Sequence, residues 1–367
     1  MSSIAKYRRT GSTTTVWRAR ITAPDGRRIQ TNHATRADAE LWVKEQTAAL
    51  VRGDWADPRA GKVTFKAYAE RWRADQLHHR PATVEQTRIR LTNHVYPTLG
   101  AMPIGSIKRS DIQRTINLAA QTLAPSTVEV VYAAITSVFK AAVLDRVVAV
   151  SPCAGIRLPA KPLRPRVVPL TVEQVHEIAE RAGGPWRAMI LLGAATGMRS
   201  GELRAVTADR LTPRLHLVGD LTPDHAVLTV DRSLTDALTF GPTKTAAAVR
   251  DLTLGPATVS LLRDHIATHG LGTDGLLFHI DGQPISRQRA GHMWRAATTG
   301  MTVRPRSGLH DLRHLAASSW LGAGASLASV SARLGHKTPT ETLSAYAWAM
   351  PADDARMVAV SETVLYG

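Results

Sequence analysis

The stretch Leu334-Gly335-His336-Lys337-Thr338-Pro339-Thr340-Glu341-Thr342-Leu343-Ser344-Ala345-Tyr346 sets a tyrosine ten residues beyond a histidine. Gly335 can end a helix in the left-handed conformation and turn His336 away from it, and a following helix over Thr340 to Trp348 would carry Tyr346. Toward the N-terminus lie His310-Asp311-Leu312-Arg313, Thr243-Lys244 and Gly197-Met198-Arg199-Ser200-Gly201-Glu202-Leu203. His310 and Arg313, three apart, share a helix face and can address one anion, with Leu312 and Leu315 turned to the core. The positive end of the helix dipole would keep His310 a neutral acceptor or base. Ser200 reads as the N-cap of a helix through Glu202 and Leu203, which sets Arg199 at a helix start, where anions are favoured. A phenol with an ordinary pKa of about 10 attacks poorly at neutral pH unless a neighbour takes or shares its proton. Guanidinium groups aimed at nonbridging phosphate oxygens stabilise the charge that such an attack builds. Two arginines, two histidines, a lysine and a tyrosine are therefore a set suited to attacking a phosphodiester without a metal.

These boxes, in this order and with nearly these spacings, resemble the phage integrase family of tyrosine recombinases, and the resemblance covers almost the whole chain. It implies Tyr346 as nucleophile, forming a 3′-phosphotyrosyl link, with Arg199 and Arg313 clamping the phosphate. Lys244, in the turn-rich Gly241-Pro242-Thr243-Lys244-Thr245, would protonate the leaving 5′ oxygen. His310 and His336 would serve the phosphate, and Glu202 would orient Arg199. Many family members have nine residues where this chain has ten, so Tyr346 and not Ser344 must face the phosphate. The implied partners are double-stranded DNA at arm-type and core-type attachment sites, further copies forming a tetramer on DNA, an excisionase or directionality factor and a host DNA-bending protein. No cofactor, metal or membrane enters this expectation.

Length and charge agree with a nucleic-acid partner. A chain of 367 residues with a formal charge of +16 and 44% hydrophobic residues is too long for one small domain and too apolar for a disordered basic tail. Eleven Lys and Arg face six Asp and Glu over residues 1–60, thirteen face six over 61–160, and twenty-two face eighteen over 161–367. The segments without the candidate chemistry are thus the more basic per residue, which partly separates binding from catalysis. The lone cysteine, Cys153, excludes an intramolecular disulfide and a multi-cysteine metal site, and together with the lack of a signal-type start or a run of eighteen apolar residues it points to a cytoplasmic protein.

Along the chain the expected fold is multidomain α+β. Residues 1–57 read as a small β-sheet-plus-helix N-terminal domain of arm-type, DNA-binding character. Two strands flank the Ala23-Pro24-Asp25-Gly26 turn, with Trp17, Ala19 and Ile21 on one face and Arg18 and Arg20 on the other, while Arg27 and Arg28 follow the turn. A helix from Arg36 to Arg52 would cover the apolar face with Ala37, Leu41, Val43 and Ala48, leaving the arginine face to enter a groove or to remain a solvated sheet face. Residues 63–155 read as an all-α core-binding domain with helices at Phe65–Gln76, Ala82–Val95, Lys108–Gln121 and Ser126–Val148, separated by breakers that include Pro97. A basic, proline-rich linker over 156–169 carries Lys161, Arg164 and Arg166, and suits an extended connector against a phosphate backbone. Residues 170–367 read as a mainly α catalytic domain with a small antiparallel sheet, with strands at Ala226–Val230 and Ala247–Leu254. The extra N-terminal module resembles that of integrases of temperate phages and integrative elements. A resolvase or inversion switch, a topoisomerase of type IB and a catalytically inactive DNA-binding relic remain open at this level. So do surface roles for Arg199 and Lys244 and a core role for Tyr346.

Overall fold

The computed structural model describes the chain except residues 1, 9–13, 25, 54, 58, 163–167, 216–224, 244–245, 351–357, 359–360 and 366–367. Lys244, Arg164 and Arg166 therefore lie outside the described residues. The chain divides into two compact units, residues 1–164 and 165–367.

In the first unit, β1 (Ser3–Arg8), β2 (Thr15–Thr22) and β3 (Arg28–His33) form an antiparallel sheet in the order β1-β2-β3, one strand more than the alternation suggested. The register Arg20↔Gln30 and Arg18↔Asn32 puts both arginines on one face with polar partners on β3. Helix α1 (Arg36–Arg52) packs on the other face; it starts where Thr35 accepts from the Asp38 N–H and ends at Gly53, φ 79°. Its inward stripe is Ala39, Trp42, Val43, Ala49 and Leu50 against Ile21, Ile29 and Trp55. Ala37 and Leu41 are exposed instead, because the phase of the helix is set by Ala39 and Trp42, three apart, with Trp42 lying against His33.

Helices α2 (Phe65–Ala74), α3 (Pro81–Arg90), α4 (Tyr96–Leu99), α5 (Arg109–Ala120) and α6 (Pro125–Leu144) build the all-α part around Phe65, Leu91, Ile112, Val131 and Phe139. Pro97 does not break the chain as expected. A wider turn over Leu91–Val95, in which the Tyr96 N–H reaches the Leu91 carbonyl, joins α3 to α4, so the proline sits in the first turn of α4, where no N–H is needed. By length and composition α6 could cross a bilayer, contrary to the reading of the sequence, but Val128, Val131, Ile135, Val138, Phe139 and Ala142 bury its apolar stripe in this core.

The second unit packs α7 (Val172–Ala182), α8 (Gly184–Thr196), the single turn α9 (Ser200–Leu203), α10 (Pro256–His269) and α11 (Arg287–Ala297) around a core containing Met189, Leu192, Leu262, Phe278 and Trp294. A three-stranded antiparallel sheet, ordered β4 (Leu211–Thr212), β5 (Ala226–Val230), β8 (Arg250–Leu254), lies against it. The hairpin β6 (Arg232–Leu234) with β7 (Phe240–Pro242) and the pair β9 (His279–Ile280) with β10 (Gln283–Pro284) complete the strands. Helices α12 (His310–Gly322), α13 (Leu327–Leu334) and α14 (Pro339–Tyr346) close the unit through a smaller apolar cluster of Ala317, Leu321, Val330, Leu334 and Tyr346. The mixed architecture is the α+β fold expected.

Candidate active site

Four chain segments converge on one pocket of about 300 Å³ lined by Arg199, His310, Arg313, His314, His336, Lys337, Glu341, Ala345 and Tyr346. Each is placed by a local feature. Gly197 ends α8 at φ 65°, and a Cβ there would stand 2.9 Å from Leu334 Cδ2 and 3.2 Å from Trp320, so only glycine lets the α8–α9 turn close over α12 and α13. Arg199, not Ser200, is the cap of α9: Glu202 accepts from the Arg199 N–H at 3.0 Å and from its Nη1 at 2.8 Å. The remaining Arg199 Nη2 donates to the Gly335 carbonyl at 2.7 Å.

Glu202 is 3% exposed and also accepts from Arg250 Nη2 at 2.9 Å, while Arg250 donates to the carbonyls of Arg333 at 2.6 Å and Ala248 at 2.9 Å. Burial alone would raise the Glu202 carboxyl, but Arg250 and Arg199 hold it below its ordinary value. One carboxylate thus ties the arginine turn to strand β8 and, through the arginines' carbonyl acceptors, to the end of α13.

Arg313 lies in the first turn of α12 at 1% exposure. Its Nη1 donates to the Gly197 carbonyl at 2.9 Å, and its buried Nη2 has no hydrogen-bond partner among the described residues. Burial first, and then the like charge of Arg199, lowers its pKa to about 10. A buried guanidinium nitrogen without an acceptor leaves a strong anion-binding capacity unfilled. His310 and His336 are both lowered to about 4. For His310 the order of causes is desolvation, His314 and Arg313; for His336 it is desolvation, Arg313 and Arg199. His310 stands in the first turn of α12 and keeps one side toward solvent, while the protein around the ring and its cationic neighbours add to what disfavours the imidazolium there. His336 follows Gly335, at φ 69°, and its Nδ1 lies 2.6 Å from the hydroxyl of buried Thr342.

Tyr346, 2% exposed at the end of α14, faces the pocket, whereas Ser344 is exposed and donates to the Thr340 carbonyl. Burial raises the phenol to about 12, with Arg313 opposing. Its Oη lies 2.8 Å from Nδ1 of His314, a residue the sequence reading passed over together with Arg250. The signal for His314 was available: it stands one helical turn after His310, on the same face, with the rings 4.8 Å apart. Arg250 carried no such signal in a strand of alternating polar residues. Asp311, also buried, is held by Arg304, Ser307 and the Gly308 N–H and stays behind the pocket.

The sequence-predicted basic residues lie elsewhere. Arg18 bonds Asn32 at 3.2 Å and lies over the Tyr7 ring, Arg20 bonds Gln30 at 3.3 Å, and Arg28 pairs across from Thr22 on the sheet face opposite α1. Arg27 stands 3.5 Å from Asp57, and Lys161 pairs with Glu129 on α6. Among the described residues no group of three or more His, Cys, Asp or Glu side chains is placed to hold a metal ion.

Comparison with known proteins gives one consistent answer. The Phage integrase family profile matches residues 166–352, and that of the Phage integrase central domain matches residues 65–158. A protein named as the integrase of prophage phiRv2 in Mycobacterium tuberculosis is 25% identical over 338 residues, 88% of this chain and 86% of its own length. The Tn1549 transposon integrase bound to a circular intermediate DNA superposes with a TM-score of 0.67 at 20% identity, covering 81% of this chain and 99% of that one. A lambda integrase tetramer bound to a Holliday junction gives 0.60 at 17% identity, with 93% and 94% covered.

Proposed function

Because the chain belongs to the phage integrase family, whose profile spans just over half of it, we propose that it is a site-specific DNA recombinase that uses Tyr346 to cut and rejoin DNA when a mobile element integrates. The observation that carries this reading is the Tyr346 phenol facing the same pocket as the buried Arg313, whose Nη2 has no acceptor among the described residues. A scissile phosphate in that pocket would supply the acceptor, and Arg199, held in place by Glu202, would meet a second nonbridging oxygen. Tyr346 Oη then bonds to phosphorus as the bond from phosphorus to the 5′ oxygen breaks, leaving a 3′-phosphotyrosyl link and a 5′ hydroxyl. Lys244, between β7 and β8, is the donor to that leaving oxygen, and neutral His310 and His336 approach the phosphate and take charge as it arrives. Attack by a partner strand's 5′ hydroxyl reverses the exchange, so no nucleotide is hydrolysed.

Within this proposal residues 1–57 read arm-type DNA through the face bearing Arg18, Arg20 and Arg28, and 63–155 with 170–367 grip the core site through the 156–169 linker. Four copies acting together complete the exchange between two duplexes. The test is a nicked duplex tiled from DNA flanking the gene, incubated in chelator with wild type or Tyr346→Phe and run on a denaturing gel. A slow-migrating species formed by wild type alone supports the reading. Binding without any covalent species, or equal adduct from Tyr346→Phe, rejects it in favour of a relic or of another nucleophile.

A further inference from the structure

We infer that His314 is the base that takes the Tyr346 proton, an inference that rests on the recombinase reading above. The phenol must lose a proton to attack, and among the described residues only one side-chain group stands within hydrogen-bond distance of its oxygen, His314 Nδ1 at 2.8 Å. The other two imidazoles are differently engaged: His336 turns its Nδ1 to Thr342 at 2.6 Å, and His310 stacks edge-on against His314 rather than on the phenol. Among the described residues no carboxylate hydrogen-bonds Tyr346; Asp311 is occupied by Arg304, Ser307 and the Gly308 N–H.

The surroundings of His314 keep its ring neutral, and so able to accept a proton, before the attack. Burial first, then Arg304 and Arg313, hold its imidazole below the ordinary value, with Asp311 opposing. A neutral ring leaves Nδ1 free to accept when the proton sits on Nε2, so the Tyr346 O–H can donate along the existing 2.8 Å contact. In the attack the Oη–P bond forms, the bond to the 5′ oxygen breaks, and the phenol proton passes to His314 Nδ1. Asp311, three residues earlier on α12, acts on the ring through its charge and would offset part of that of the imidazolium so made. In the rejoining step the same proton returns to the departing phenolate, while the attacking 5′ hydroxyl gives up its own to the donor that had served it. The ring lies against those of His310 and Tyr346, the charges of Asp311 and Arg313 on its own helix and of Arg304 from the preceding segment act on it, and Arg199, His336, Lys337 and Glu341 stand around the same pocket.

The decisive experiment is single-turnover adduct formation on the nicked duplex, comparing wild type, Tyr346→Phe, His314→Asn and His314→Ala. Asparagine sets an oxygen where Nδ1 stood and can still accept the bond, but it cannot hold a proton. The expected result is a loss of about 100-fold or more in adduct rate for His314→Asn with DNA affinity unchanged, the span that a general base contributes. That loss should persist on a duplex whose bridging 5′ oxygen is replaced by sulfur, since a thiolate leaves without protonation and relieves only a missing acid. Added imidazole should accelerate His314→Ala, which keeps the question decidable if the asparagine variant folds poorly. A His314→Asn rate within threefold of wild type overturns the inference; so does a defect that vanishes with the sulfur leaving group, or an alanine variant deaf to imidazole. Absence of a Tyr346-dependent adduct from wild type overturns the recombinase reading itself, which separates the two failures.

Discussion

Arg313→Met should separate stability from activity, with opposite signs. The guanidinium is 1% exposed and, among the described residues, donates to the Gly197 carbonyl and leaves Nη2 unpartnered. Its pKa falls from 12.5 to about 10, through burial first and Arg199 second. At about 1.36 kcal/mol per pKa unit, the charge opposes folding at neutral pH by roughly 3 kcal/mol. Methionine fills a similar volume without charge but strands the Gly197 carbonyl, which costs about 1–3 kcal/mol. The two effects nearly cancel, so Arg313→Met should match wild type in stability or exceed it by up to about 2 kcal/mol. Replacing a buried, poorly paired ion by an apolar side chain is commonly neutral or stabilising. Adduct formation, in contrast, should fall at least 100- to 1000-fold, roughly what one lost oxyanion donor costs. Thermal denaturation gives the first quantity, hydrogen exchange of α8 and α12 amides localises it, and the nicked-duplex assay gives the second. A variant destabilised by more than about 1 kcal/mol would make Arg313 a structural residue. Wild-type adduct rates in that variant would place the phosphate somewhere else.

Glu202→Ala removes a buried carboxylate from two arginines and should cost about 3–5 kcal/mol at pH 7, measured by denaturant titration. Because its folded pKa is depressed, the stabilisation is present above the ordinary carboxyl value of 4.5 and lost as pH falls through the folded one; a variant with the wild-type acid profile would contradict this. His310 and His336, held at about 4, work in the other part of the acid range. The unfolded chain takes up protons first near 6.5, so stability present above pH 6.5 should decline between 6.5 and 4, and His310→Gln with His336→Gln should flatten that decline. Gly335→Ala should cost at least about 1–3 kcal/mol, since φ is 69° and the new Cβ would meet the Ala248 backbone at 3.0 Å. Unchanged melting in that variant would mean that the α13 cap yields easily.

What the sequence made legible was local. His310 and Arg313 are neighbours because they are three apart on a helix, His336 leaves α13 because Gly335 ends it, and Tyr346 rather than Ser344 turns inward because α14 must bury Thr342 and Tyr346 together. The phase of α1 was misread for the complementary reason: with alanines and valines on several faces, only the docking of Trp42 against His33 and of Ala39 under the sheet decides which stripe is inside. Pro97 likewise looked like a break because nothing in its neighbourhood announces that Leu91–Val95 can widen to accept it.

The same division explains the site. Arg199 and Glu202 are three apart and their pairing could be anticipated, but Arg250 joins them from 48 residues away, and a strand reading Arg250-Asp251-Leu252-Thr253-Leu254 looks like an ordinary amphipathic edge. His314 is the intermediate case. Its place on the face of His310 follows from helix geometry, yet what makes it chemically pointed is a contact with Tyr346, 32 residues on, that only the packing of α14 across α12 creates. The half of the pocket proposed to hold the phosphate is thus assembled from motifs that each contain their own geometry. The proposed activation of Tyr346 by His314 needs two helices to meet, and for that reason it is the part most exposed to a change in how α14 docks. A substitution that loosens this packing, with every residue of the pocket left in place, should slow tyrosine attack while sparing phosphate binding.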